Sequence, residues 1–312
     1  MSAKKMWSNL LGVAVLLGSV ACSGNPPVLP IPTNKDLSYC ISVIQCFYNL
    51  VPLIDVMKKD LTVFPSGDVS GKFAALVGAL TSTPVGDAKA GVDGVASTIT
   101  PGSVFDVFSA LSLAEKLLDG LWNVSPDIKK LFEIPLKNGV VTNGIELVID
   151  TGANVDIQKA CVDYFQKKPT EKPQGGCGDI LVIGSHFNAS TDGDVQKLQR
   201  VTTPTLELDV KDFVDNPKGN TKYELVGKLN YLFGVADPIT QVLAPGQSVA
   251  LIRDVRGDAS HWWACGGTKI QDMGTAIPVG DKVASITAAF FYVRKDTSFD
   301  SFAHALRAIA QS

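Results

Sequence analysis

Histidine is scarce in this chain: three residues in 312. Any acid–base or metal chemistry that needs imidazole must draw on His186, His261 or His304. The six cysteines are Cys22, Cys40, Cys46, Cys161, Cys177 and Cys265. No two of them form a Cys-x-x-Cys pair, so a four-thiolate zinc site has no support, and no metal or other cofactor is expected. Neither sign of charge dominates, with 28 Lys and Arg against 31 Asp and Glu. There is no basic stripe, which speaks against nucleic acid as a partner. Internal repeats are also lacking. The N-terminal apolar run from Leu10 to Leu17 is too short to span a bilayer.

What is present is apolar: 46% of residues are hydrophobic and 19% charged. A chain of this length can bury a substantial core, in one large or two small domains. Residues 1–21 read as an export signal. Lys4 and Lys5 precede the apolar run, and small residues follow it. The Ser-Val-Ala-Cys ending at Cys22 is similar to a bacterial lipobox, with Cys22 as the lipidated residue. Residues 22–33 form a Pro-rich tether that holds a domain off a surface. An exported chain of this kind is either a membrane-anchored lipoprotein or a protein secreted into a host cell. Membrane contact is expected only through the lipid anchor.

The first half is spaced as helices. In Ser-Tyr-Cys-Ile-Ser-Val-Ile-Gln-Cys-Phe-Tyr-Asn-Leu, Val43, Ile44, Phe47 and Leu50 or Val51 share one face, and Pro52 ends or bends the helix. Residues 70–82, 102–122 and 155–168 carry the same period, the last with Ile157, Cys161 and Phe165 in line. The second half changes to β-branched and aromatic runs at 179–187, 203–210, 222–233, 247–255, 260–267 and 284–295. Helices first and strands later predict an α+β fold, a helical lobe against a largely antiparallel sheet. Residues 34–300 are expected to form one domain, closed by a short helix at 301–312.

Cys40 lies near the start of the first of these helices, where free N–H groups and the dipole stabilise a thiolate. His261 enters a bulky strand from a polar turn. Asp272, eleven residues on, could orient its imidazole. Papain-like hydrolases use such an arrangement across two lobes.

Three blocks then carry a resemblance to the ubiquitin-specific protease family of deubiquitinases, over roughly residues 33–296. Residues 33–53 are similar to its cysteine box. Residues 180–210 resemble the family strand that ends in Arg-Phe and leads on to a Leu-Asp-Leu strand. The histidine box has Tyr-Glu-Leu-x-x-Val, then Gly-His-Tyr, an Asp or Asn, and a closing Phe-Tyr strand. It is matched by Tyr223-Glu224-Leu225-Val226, by the stretch from Ser260 to Val279, and by the Phe291-Tyr292 strand.

The resemblance implies a papain-like cysteine protease fold with reduced fingers. It also implies a thiol isopeptidase that removes ubiquitin or a ubiquitin-like modifier, with ubiquitin as partner. Cys40 would be the nucleophile, His261 the base, Asp272 its orienter, and Asn34 an oxyanion donor. Two registers remain. Aligned without gaps, Tyr39, Ser42, Gln45, Cys46, Tyr48, Asn49, Pro52 and Leu53 all match, and Ser38 takes the nucleophile's place. That register makes the chain a catalytically dead ubiquitin-binding pseudoenzyme. Shortening the helix start by two residues restores Cys40 and leaves Ser38 as an N-cap. A third reading is an envelope lipoprotein of other function.

Overall fold

The computed structural model describes residues 37–82, 88–99, 107–149, 156–187, 205–232, 247–253, 261–266, 270–275 and 285–295. The expected signal, Cys22, the tether, Asn34, His304 and the closing helix lie outside them.

Helices come first: α1 Ser38–Tyr48, α2 Val51–Lys59, α3 Val69–Thr81, α4 Ala88–Ala96, α5 Val107–Trp122 and α6 Pro126–Phe132. A two-stranded hairpin follows, β1 Ile134–Pro135 and β2 Val141–Thr142. Then come β3 Ile145–Ile149, α7 Ile157–Lys167, β4 Ile180–Phe187, β5 Glu207–Asp209, β6 Lys222–Leu232, β7 Gln247–Arg253, β8 Trp262–Gly266, β9 Ile270–Gly274 and β10 Ser285–Arg294. The main sheet runs β3-β4-β10-β6-β7-β8-β9, with β5 added beside β6. All its pairings are antiparallel except β3 with β4. The fold is thus the expected α+β arrangement of a helical lobe on an antiparallel-rich sheet.

Pro52 neither ends nor kinks the first helix; it opens the second. Proline suits the first turn of a helix, whose N–H groups have no intrahelical partner. It occupies that turn of α2, and α1 and α2 meet at 82°. Elsewhere the caps are those the sequence offers. The carboxylates of Asp68 and Asp156 accept from Gly71 N and Lys159 N, at 2.9 and 2.8 Å, and start α3 and α7.

The expected single apolar face of α1 is an understatement. Every residue from Ser38 to Phe47 is buried, because α1 is the central helix. It packs on β6, β7 and β8 on one side and on α4 and α5 on the other. Gly227 on β6 lies beneath α1: a Cβ there would make ordinary contact with Cys46 Sγ at 3.9 Å and Phe291 Cβ at 3.6 Å. The other face of the sheet carries a second apolar layer, including Ile157, Cys161 and Phe165 of α7, Phe213, Tyr223 and Tyr292.

Candidate functional site

Helix α1 lies along β7, and side-chain contacts fix which end is which. At its start, Ser38 Oγ accepts from Ser248 N at 3.4 Å. At its end, Asn49 Nδ2 donates to Arg253 O at 3.1 Å and to Val226 O at 2.8 Å. Ser248 and Arg253 sit at opposite ends of β7.

His261 belongs to the Asn49 end. It directly precedes Trp262, and Trp262 pairs with Arg253. Five residues of strand, roughly 17 Å at the usual antiparallel rise, separate that level from Ser248. The structure therefore does not bring Cys40 and His261 together, and this corrects the expected Cys40–His261 pair. Sequence spacing cannot show the difference, because β7 and β8 are neighbouring strands running in opposite directions.

Cys40 also has the wrong surroundings for a nucleophile. Its side chain is fully buried and its Sγ faces Val92 O of α4 at 3.8 Å. Burial, with the carboxylate of Asp93 nearby, pushes the thiol up to about 12. A reactive cysteine needs the reverse, a cationic and accessible environment. The expectation of an activated Cys40 is corrected on that ground. The other register for α1 is the one with structural support: Ser38, and not Cys40, is the first helical residue and lies against the sheet.

His261 and Asp272 do meet. Nε2 lies 2.6 Å from Asp272 Oδ1, which also accepts from Gly274 N at 2.8 Å. The pair closes the β8–β9 hairpin, with the His261 ring 5.9 Å from that of Trp263. All five described cysteines are buried free thiols, and none is hydrogen-bonded to His261 among the described residues. His261–Asp272 is thus a hairpin lock, its imidazole about a quarter exposed.

The sequence reading passed over Gln247 and Ser248. They open the strand that follows the Tyr-Glu-Leu-Val strand and pairs with it, Gln247 opposite Leu232 and Ser248 opposite Tyr231. Gly246 precedes them in sequence. The signal available was order: the first strand after Tyr-Glu-Leu-Val is β7, and the Ser-His-Trp stretch is one strand later.

A cavity of about 520 Å³ opens between α5, the β1–β2 hairpin, β3 and β4, lined in part by Glu115, Asp119 and Glu146. Its lining includes no cysteine or histidine, so it offers no thiol and no imidazole. Among the described residues, no group of three or more His, Cys, Asp or Glu could hold a metal ion.

With this geometry in view, the comparisons with known proteins are informative on fold. No family model matches the chain, and no curated protein matches it in sequence. Solved structures do. The SAGA DUB module containing Ubp8, bound to monoubiquitin, superposes with a TM-score of 0.57 at 10% identity. That match covers 94% of this chain and 75% of that one. The fold is similar to that of this deubiquitinase module. An essential yeast splicing factor matches with a TM-score of 0.55 at 14% identity, over 85% of this chain and 70% of the other. The Saccharomyces cerevisiae Pan2 pseudoubiquitin hydrolase–RNA exonuclease module gives 0.53 at 11% identity, covering 86% of this chain and 55% of that one. These neighbours thus include one described as a pseudoubiquitin hydrolase.

Proposed function

We propose that this chain is a ubiquitin-hydrolase-like domain that has lost the hydrolytic site and binds ubiquitin or a related modifier without cleaving it. The observation that carries the reading is the contact between Ser38, first residue of α1, and Ser248 at the start of β7. In the family that the sequence resembles, those two places belong to the cysteine and to the Gly-His-Tyr histidine. Here Ser38 stands for the first, and Gly246-Gln247-Ser248 stands for the second. A serine hydroxyl is not ionised by a helix end, and a glutamine amide cannot accept its proton. His261 directly precedes another strand, β8, and is held by Asp272.

The thiol isopeptidase reading would need Cys40 to leave its pocket against α4 and travel to an imidazole. Burial of the thiol and the fixed ends of α1 argue against it. The binding half of the proposal draws on fold likeness to the monoubiquitin-bound module.

The test is a ubiquitin derivative with an electrophilic C-terminus, followed by mass spectrometry, alongside calorimetric titration with monoubiquitin. The expected result is no adduct and measurable binding. An adduct on Cys40 overturns the proposal in favour of a thiol isopeptidase. Absence of binding leaves the fold with another role.

A further inference from the structure

Lys228 is a charge that the fold leaves unanswered. It is 3% exposed on β6, and it has no carboxylate or other acceptor among the described residues. Its neighbours Gly227 and Leu229 face α1, so its own side chain lies on the opposite face of the sheet. There it stands between Leu251 of β7 and Phe290 of β10, both in the far apolar layer. An ammonium taken out of water without a counter-ion is costly, and an anion that reaches it is stabilising.

A second observation lies two residues on, on the same face of β6. Asn230 is 5% exposed, and its Oδ1 accepts from Thr287 Oγ1 at 3.1 Å. Its Nδ2 is left with no acceptor among the described residues. Two donors thus stand side by side, one of them charged. Neither is sealed off. Ser248 Oγ and Trp263 Nε1 are unpartnered and fully enclosed, whereas the Lys228 amine and the Asn230 amide nitrogen are not enclosed in this way and keep contact with solvent. The surface around them is apolar. Val249 and Leu251 lie opposite the two donors, and Leu232, Ala264 and Met273, packed on the same layer, are only partly buried. An apolar surface that ends at a cation and an amide suits a carboxylate on an apolar chain. A phosphate would bring a second charge with nothing to meet it.

We propose that the face of the sheet away from α1 binds an amphiphilic monocarboxylate of the fatty-acid kind, its carboxylate on Lys228 and Asn230 and its chain toward Leu232, Ala264 and Met273. The ammonium and the amide each donate to the carboxylate, and no covalent bond is made or broken. The site is on the other side of the sheet from Ser38 and Ser248, so it stands or falls independently of the modifier-binding reading.

The experiment is calorimetric titration of the full chain at pH 7 with octanoate, with octan-1-ol and octyltrimethylammonium as probes of the same chain length. Octanoate should bind about tenfold more tightly than octan-1-ol, the size of a charge-assisted hydrogen bond. Lys228→Met keeps the apolar stem and removes the charge, and it should erase that difference. Asn230→Asp gives Lys228 a carboxylate of its own. It should erase the difference too, while raising the melting temperature, and it decides the matter if Lys228→Met does not fold. Absence of octanoate binding, or equal binding of octanoate and octan-1-ol, overturns the proposal. Octyltrimethylammonium binding as tightly as octanoate also overturns it, since the surface would then take any amphiphile. A preference for octanoate that both variants retain overturns the assignment to Lys228 and Asn230.

Discussion

Lys228 is a cation that has lost its water. It is 3% exposed, and among the described residues it has no ion-pair partner. Its neighbours Gly227 and Leu229 face α1, so Lys228 points to the other side of the sheet, between Leu251 and Phe290 on the adjoining strands. Burial lowers its ammonium from 10.5 to about 8. The folded state therefore holds this proton less tightly than the unfolded state does. The penalty is complete below about pH 8 and disappears as pH rises toward 10.5, on the order of 3 kcal/mol in all. Lys228→Met should stabilise the protein at pH 7 by roughly 2 kcal/mol, and the gain should shrink above pH 8. Urea denaturation of both proteins from pH 7 to 10 checks this. The difference between them isolates Lys228, because the buried thiols, pushed up by desolvation, lower stability above pH 9 in both. A gain that does not change with pH would mean that the folded and unfolded chains hold the Lys228 proton equally, so that burial has not lowered its affinity. At the same scale, Cys40 should resist iodoacetamide at pH 8 in the native protein and react once the chain is unfolded. Peptide mass mapping before and after denaturation reads this directly.

Among the elements, α1 decides most, and its two ends have different tasks. The Ser38 end meets the start of β7, where Ser248 N donates to Ser38 Oγ. The Asn49 end is a brace, since one amide group donates to carbonyls on both β6 and β7. Asn49→Ala removes both bonds and strands buried acceptors, at an expected cost of about 2 kcal/mol. Guanidinium denaturation should show a lower midpoint with an unchanged slope, and ubiquitin binding by the folded variant should be retained. His261→Ala should likewise leave ubiquitin binding intact, since the His261–Asp272 pair belongs to the β8–β9 hairpin. A large loss of binding in that variant would return His261 to the site.

At the scale of the whole molecule, a helical lobe lies on a sheet whose far face carries its own apolar layer. The motif matches at the literal level prove to be part of that frame. Tyr223, from the Tyr-Glu-Leu-Val strand, donates through its hydroxyl to Gly178 O at 2.7 Å. Arg294, from the closing Phe-Tyr strand, donates to the Tyr223 hydroxyl and to Cys177 O. Both side chains tie strands to the loop that leads into β4. The N-terminal export signal and the lipidation of Cys22 remain proposals about the rest of the chain. Cys22→Ala in the full-length protein should move it from the membrane fraction to the soluble fraction. Unchanged partitioning would remove the lipid anchor and leave the domain as described.

What the sequence determined by itself follows from local periodicity and from order along the chain. The 3.6-residue spacing around Val43, Ile44 and Phe47 marked α1, and the line Ile157, Cys161, Phe165 marked α7. The β-branched runs marked β4, β6, β7 and β10. Helices before strands gave the layered α+β fold, and the matching blocks pointed to the deubiquitinase-like fold that the solved structures share. The short elements α4, β1, β2, β3 and β9 were not legible, because each is too brief to show a period of its own. The site was decided only by the tertiary structure. Cys40 and Ser38 are two residues apart, yet one turns toward α4 and the other toward β7. His261 follows Ser248 by thirteen residues, and the reversal between β7 and β8 carries it to the opposite end of α1. Burial and strand direction set reactivity and proximity, and both are properties of the packed chain, invisible to spacing along it.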